Sequence, residues 1–370
     1  MKIPFSNLKP LFESRKEEYI NAFAERLESC DFIGGSDIRL FESEFADVFG
    51  VSNPCSCANG TDALYIALRA LGVGPGDHVL TPVHSWISSA ETITQCGAEL
   101  EFVDSSTEGF CLSVEDVKKK LRRNTKAIIA VHLFGEPIDL TEIRCLCDSH
   151  GIYLIEDCSQ AHGAISGVQP VGSTGDFATF SLFPTKNLGA LGDAGIASAK
   201  NPELIDKFRL FANHGGKGIH KFEGVNSRLD SIQACFLRLK LKYFKADHEK
   251  RLQIADMYNQ SFLDIEDINI PRLSASKGKH AYHIYTIKID GSKRDKVMSY
   301  LLDCQIEARL MYPKLLHKLP AYELAHSQKH YPNAMKNHLS MISLPLYSGM
   351  QQEEVTYIID SVLRAVGHSR

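Results

Sequence analysis

The sequence predicts an α/β protein: a large domain built on a mixed, mostly parallel sheet flanked by helices, then a smaller α+β C-terminal domain. Three observations carry this. Short apolar runs rich in β-branched residues, such as Ala127–Val131 and Ile152–Ile155, read as parallel strands buried on both faces. Amphipathic helical segments alternate with such runs through the first half of the chain. Beyond about residue 200 the alternation gives way to long helices. A chain of 370 residues, 44% of them hydrophobic, can fill one large core and a second, smaller one. The expected division is 1–245 and 246–370.

Taken in order, Phe12–Ser29 reads as an amphipathic helix, and Phe32-Ile33-Gly34-Gly35 as a turn. A second helix is expected over Ile38–Phe49 and a third over Thr61–Leu71, whose apolar residues recur at helical spacing. His78–Thr81 and Leu100–Val103 read as short strands around a helix at Ser85–Cys96. The strand Ala127–Val131 precedes a helix, Leu140–Ser149, that Gly151 stops. Ile152–Ile155 and Phe177–Leu182 are further buried strands. Leu229–Phe244 and Glu249–Phe262 read as two successive helices. A strand at Ile284–Ile289 and helices at Lys293–Cys304 and Glu353–Ala365 complete the chain.

Composition excludes several classes. The formal charge is −4 and the pI about 6.4, with Lys and Arg interspersed among Asp and Glu. No basic face suggests nucleic acid. The cluster Lys118-Lys119-Lys120 reads as a solvated helix face. The N-terminus lacks a signal-peptide core, and no stretch reaches the ~20 apolar residues of a membrane span. A cytoplasmic protein is expected. The ten cysteines are scattered, and the close pairs Cys55/Cys57 and Cys145/Cys147 are C-x-C. They read as small buried hydrophobes, with no metal site.

Four places could carry chemistry. Asn59-Gly60-Thr61-Asp62-Ala63 leads a small polar loop into a helix, which makes an anion site or a plain N-cap. Asp157 follows a buried parallel strand at its carboxyl end, where open α/β sheets bind ligands. It could hold a pyridinium nitrogen protonated, or merely cap a loop. Lys186 lies in the apolar, Pro/Gly-punctuated loop Phe183-Pro184-Thr185-Lys186-Asn187-Leu188-Gly189. Desolvation there would make its amine nucleophilic, although a surface lysine is the alternative. Ser181, at a strand end, could donate to a phosphate. Trp86 is the sole tryptophan and follows the strand His78–Thr81. It could stack on a flat ring or pack in the core.

Together and in this order, these places resemble the DegT/DnrJ family of fold-type I, pyridoxal-phosphate (PLP) nucleotide-sugar aminotransferases. The resemblance starts at Ile3-Pro4-Phe5 and Phe41-Glu42-x-x-Phe45-Ala46. It runs through Ala58-Asn59-Gly60-Thr61-Asp62-Ala63-Leu64, Gly72-Val73-Gly74-Pro75-Gly76-Asp77 and Glu156-Asp157-x-x-Gln160-Ala161-His162-Gly163. It continues in Pro184-x-Lys186-Asn187-Leu188-Gly189-x-x-Gly192-Asp193-Ala194-Gly195 and Asn226-x-Arg228-Leu229-Asp230-x-x-Gln233-Ala234. It closes with Tyr312-Pro313-x-x-x-x-His317.

The resemblance implies a Schiff-base lysine at Lys186, a pyridine-nitrogen partner at Asp157 and a ring-hydroxyl partner at Gln160. It implies a stacking aromatic at Trp86 and a phosphate cup from Gly60, Thr61, Asp62 and Ser181. Asn226 is implied to reach the phosphate from a neighbouring subunit, so a homodimer with shared active sites is expected. His84, Tyr312 and His317 are implied to lie near the sugar-nucleotide pocket. The implied reaction moves an amino group from L-glutamate to a nucleotide-linked keto sugar, with pyridoxamine phosphate (PMP) as the intermediate cofactor form. Its product would feed surface polysaccharides such as O-antigen, or related glycans.

Trp at the stacking position, Cys158-Ser159 and the loop His214-Gly215-Gly216-Lys217 depart from the family pattern. A PMP-dependent 3-dehydratase would carry His in place of Lys186. A non-catalytic PLP-binding regulator is the other rival. The stretch Gly224–Asp230, with Leu237-Arg238-Leu239-Lys240-Leu241 and His84-Ser85, looks most like enzymes that aminate C-3 of dTDP-3-keto-6-deoxyhexoses. Amination at C-4 of a UDP-, GDP- or dTDP-linked 4-keto sugar is the alternative.

Overall fold

A computed structural model describes residues 1–271, 278–326 and 328–367. Thirteen strands occur among them, labelled in chain order. β1 (Cys55–Cys57), β2 (His78–Pro82), β3 (Glu99–Val103), β4 (Thr125–Val131), β5 (Tyr153–Asp157), β8 (Phe177–Ser181) and β9 (Gly195–Ser198) form one seven-stranded sheet. Its order is β1-β9-β8-β5-β4-β2-β3. β3, β2, β4, β5 and β8 run parallel, and β9 and β1 close the edge through antiparallel pairs. The sheet is therefore mostly parallel, as the apolar runs predict, and mixed through the antiparallel pairs of β9 and β1. β6 (Ile165–Ser166), β7 (Gln169–Pro170) and β11 (Gly278–Lys279) form a small sheet of their own. β10 (Ile268–Asn269), β12 (Tyr285–Ile289) and β13 (Met341–Leu344) form another, wholly antiparallel.

Burial follows this layout. Val79, Leu80, Ile128, Ile129, Leu154 and Ile155 fill the central sheet, with Leu64, Ile66 and Leu68 of the helix Gly60–Ala70 packed on it. Tyr258, Tyr285, Ile287, Ile342, Leu344 and Ile358 form a separate core around β12 and β13. Phe41, Phe45, Phe49, Phe180, Leu237 and Phe244 form a third, under the helix Ser36–Phe49. Seven cysteines are buried, Cys304 is half-buried, Cys30 and Cys145 are exposed, and all are free thiols.

Two expected boundaries differ. Leu229–Phe244 and Glu249–Phe262 are one continuous helix, Ser231–Phe262. The polar stretch Lys245-Ala246-Asp247-His248 holds no Gly or Pro, so nothing breaks the backbone. Leu237, Leu241 and Phe244 enter one core, and Ile254, Tyr258 and Phe262 enter another. The polar residues mark the passage between cores. Conversely, Phe12–Ser29 is two helices, Lys9–Glu13 and Lys16–Ser29. Arg15 leaves the helical region (φ −134°, ψ 22°), and its guanidinium clasps Asp247 of the long helix at 2.6 and 2.7 Å.

Candidate active site

The carboxyl ends of β4, β5 and β8 lie side by side, with Val131 opposite Asp157 and Asp157 opposite Thr179. Asp157 is the last residue of β5 and is buried. Its Oδ1 accepts the Ser159 N–H at 3.0 Å. No donor among the described residues reaches its other oxygen, so half of the carboxylate is left for a ligand.

Lys186 sits beyond β8, in a loop closed by its own N–H donating to the Phe183 carbonyl at 2.8 Å. Burial pushes its ammonium down to about 8, and the nearby Asp157 charge pulls the other way. The side chain as a whole is half-buried. The neutral amine fraction at pH 7 is then about one in ten, against about one in three thousand for an ordinary lysine. Labelling of Lys186 by an aldehyde should therefore rise about fivefold from pH 7 to pH 8 and level off near pH 9, as peptide mass spectrometry would register. A rate still climbing tenfold per unit at pH 10 would mean an unperturbed amine.

Gly60 opens the helix Gly60–Ala70, capped by the Asn59 side chain on the Asp62 N–H at 2.8 Å. This terminus presses against the end of β8. A Cβ on Gly60 would stand 2.6 Å from Ser181 Cβ, so only glycine permits the approach. The Thr61 hydroxyl pairs with Ser88 Oγ at 2.7 Å. Gly60, Thr61 and Asp62 thus make a helix N-terminus set against Ser181, an arrangement suited to a phosphate.

Gln160 is buried near Asp157. Its Oε1 accepts the Phe134 N–H at 2.7 Å, and its Nε2 donates to the Tyr312 hydroxyl at 2.8 Å. Trp86 is 58% exposed, with its ring 5.4 Å from that of Tyr312. An indole so open is available for stacking and is not a core residue. His84 is buried beside the same segment, with Nε2 3.1 Å from the Met311 carbonyl. Burial pushes it down to about 4, so its ring is neutral.

Two expected residues have other neighbours. His317 is buried with its ring 4.9 Å from Tyr331. Asn226 is exposed, and its Oδ1 accepts from Arg228 Nε at 2.9 Å. The neighbouring Ser227 hydroxyl accepts the Ala58 N–H of the same chain at 3.1 Å. The segment therefore runs beside the loop that leads into its own phosphate-type terminus, a placement the strand order alone did not supply.

Three further residues, His162, Asn187 and His283, lie near Lys186. His162 is fully buried between Phe49 and Phe180 with both ring nitrogens unpartnered. Burial and the Lys186 charge push it down to about 3. Asn187 is held by the His283 ring at 3.2 Å and by its own Nδ2–H on the Ala281 carbonyl at 3.0 Å. His162 stood inside a quoted motif. His283 lies 96 residues from Asn187 and left no local signal.

One buried trio, His132, Glu156 and Cys158, has metal-like spacing. Glu156 already accepts His132 Nε2 at 3.0 Å and the N–H groups of Gly172, Thr174 and Gly175 at 2.6–2.8 Å. His132 Nδ1 accepts from the Ile138 N–H, and burial raises the Cys158 thiol. The trio is a satisfied hydrogen-bond strut under β5. Among the described residues, no helix is long and apolar enough to cross a membrane.

A desolvated lysine, a half-free buried carboxylate, an amide with a spare N–H and a glycine-built anion terminus fit PLP at one sheet edge. Comparison with known proteins agrees. The model of the DegT/DnrJ/EryC1/StrS aminotransferase family matches residues 13–363. The chain is 36% identical over 367 residues to UDP-N-acetyl-3-dehydro-α-D-glucosamine 3-aminotransferase of Acidithiobacillus ferrooxidans, covering 98% of each. It is 33% identical to dTDP-3-amino-3,4,6-trideoxy-α-D-glucose transaminase of Streptomyces venezuelae, covering 98% of this chain and 95% of that one. The crystal structure of S. venezuelae DesV in complex with a ketimine intermediate superimposes with a TM-score of 0.95 at 31% identity over the full length of both chains. The chain belongs to the DegT/DnrJ/EryC1/StrS aminotransferase family and is a PLP-dependent aminotransferase of nucleotide-linked sugars.

Proposed function

We propose that the enzyme transfers the amino group of L-glutamate to C-3 of a nucleotide-linked 3-keto sugar, with a dTDP-linked 3-keto-6-deoxyhexose as the leading substrate. The observation that carries the chemistry is the desolvated Lys186 within reach of the Asp157 charge at the carboxyl edge of the sheet. The position on the sugar rests on the C-3 amination named for both curated relatives and on the Gly224–Asp230 stretch. PLP supplies the electron sink when bound. Lys186 anchors it and carries a proton to and from the substrate carbon. Asp157 faces the ring nitrogen, and Gln160 gives an N–H to the ring oxygen. Gly60, Thr61, Asp62 and Ser181 hold the phosphate, and Trp86 covers one ring face. His84, Tyr312 and His317 border the sugar-nucleotide pocket. Residues 1–245 make the cofactor-binding domain and 246–370 the smaller one, joined through the long helix. Incubation with a panel of 3-keto and 4-keto sugar nucleotides and glutamate, read by mass, tests the assignment. Amination confined to 4-keto substrates would overturn the C-3 reading.

We propose further that active sites are shared in a homodimer, with Asn226 supplied to the partner's phosphate. Its side chain is exposed and turned to Arg228, which leaves it open to a second chain. Lys186→Ala and Asn226→Asp are each expected to be inactive. In a mixed dimer, Lys186 of one chain meets Asn226 of the other, so one intact site forms. Refolding an equimolar mixture should recover about a quarter of wild-type activity, since half the dimers are mixed and each has one good site. Confirmed heterodimers without recovery would place each site within one chain.

A further inference from the structure

The hydrogen bonds around Gln160 settle which way its amide points. The Phe134 backbone N–H can only donate, so the Gln160 oxygen must face it. Nε2 therefore faces Tyr312, and the Tyr312 hydroxyl accepts one of its two N–H groups. The second N–H has no partner among the described residues. Tyr312 itself is held from both sides. His84 Nε2 lies 3.1 Å from the Met311 carbonyl, and the His338 ring faces the Tyr312 backbone. Its ring leans on Trp86. The strap Met311-Tyr312 thus fixes the hydroxyl without help from any ligand. Burial and the nearby Asp157 charge keep the phenol neutral.

We propose that Tyr312 is a positioning residue for the cofactor: its hydroxyl pins one Gln160 N–H so that the other is aimed at the oxygen on the cofactor ring. The inference rests on the PLP reading above and adds a residue that does not itself touch the ring oxygen. The Gln160 side chain turns about three single bonds, and the Phe134 contact alone leaves the amide free to rock about Oε1. Two anchors define a plane, and the third direction is then set.

The consequence is spectroscopic. A donor on the ring oxygen competes with the proton shared between that oxygen and the lysine-linked nitrogen. Losing the donor lets that proton be held more tightly. The pH midpoint of the bound cofactor's visible absorbance change should then rise. Other titratable groups facing this region are Asp157 and the imidazoles of His162 and His283, with His84 behind the strap. Burial keeps all three imidazoles neutral across the working range.

The test compares the holoenzyme with Tyr312→Phe, Gln160→Ala and the double variant. Phenylalanine preserves the ring contact with Trp86, and thermal melting monitors the fold. Tyr312→Phe should raise the absorbance midpoint by roughly 0.5–1 pH unit. Gln160→Ala should raise it at least as far, and adding Tyr312→Phe to Gln160→Ala should shift nothing more. An unchanged midpoint in Tyr312→Phe would overturn the proposal. So would an undiminished further shift in the Gln160→Ala background, which would mean that Tyr312 acts by another route. If Tyr312→Phe melts too early to titrate, Tyr312→His in the same comparison provides the reading. Absence of any visible chromophore in the wild-type holoenzyme would sink the PLP reading itself, whereas a normal chromophore with an unmoved midpoint would sink only this inference.

Discussion

Replacing Lys186 with alanine is expected to abolish turnover, by more than about 10⁴-fold, while the protein still folds. The amine performs two tasks on this reading. It is the covalent anchor, and it carries the proton to and from the substrate carbon; proton transfer alone is worth roughly 10²–10⁴-fold. The fold should not suffer, because the lysine nitrogen makes no ion pair within contact distance among the described residues. The folded-state pKa is about 8, below the ordinary 10.5. The unfolded chain therefore binds the proton more tightly, and folding carries a penalty below pH 8 that fades as pH rises to about 10.5. Removing the lysine should raise the melting temperature of the cofactor-free protein at pH 7 and leave it nearly unchanged at pH 10.5. Borohydride reduction followed by peptide mass spectrometry should find no cofactor adduct in this variant. Turnover near the wild-type rate without an added amine would mean that another residue is the anchor.

Local motifs carried most of the candidate site. Asp157 could be read because a β-branched run ends at it, and Lys186 because its loop is apolar and punctuated by Pro184 and Gly189. Gly60 left an anion site and a plain N-cap both open, and the 2.6 Å approach of Ser181 gives the physical reason for glycine there. What stayed hidden depends on contacts distant in sequence. The Gln160–Tyr312 bond joins residues 152 apart. The strap that holds Tyr312 relies on His84, 227 residues from the carbonyl it binds. Periodicity also has no means of telling a helix break from a helix that passes between two cores. Hence Lys245–His248 suggested a gap where the helix Ser231–Phe262 runs on. The antiparallel strands β1 and β9 are three and four residues long, too short to show an alternation of their own.

Asp157→Asn is expected to keep the fold and the bound cofactor yet lose about 10³-fold in turnover. The carboxamide is nearly isosteric. Its oxygen can still accept the Ser159 N–H, so the end of β5 is undisturbed. The charge is what disappears. At about 4 Å and an effective dielectric near 20, a carboxylate stabilises a facing pyridinium by on the order of 4 kcal/mol, or about three pKa units. Without it the ring nitrogen loses its proton near neutral pH, and the ring withdraws electrons from the substrate carbon far less effectively. Four kcal/mol lost only as charge builds up in the reaction corresponds to about 10³ in rate. A second effect runs through Lys186. The Asp157 charge now opposes the downward push of burial on the lysine. In Asp157→Asn the amine pKa of the cofactor-free protein should fall further, and its aldehyde-labelling midpoint should move below pH 8. Structural damage at β5 would lower activity without moving that midpoint downward, so the two measurements separate charge from scaffold. Activity within tenfold of wild type would leave Asp157 as a loop residue with no claim on the ring nitrogen.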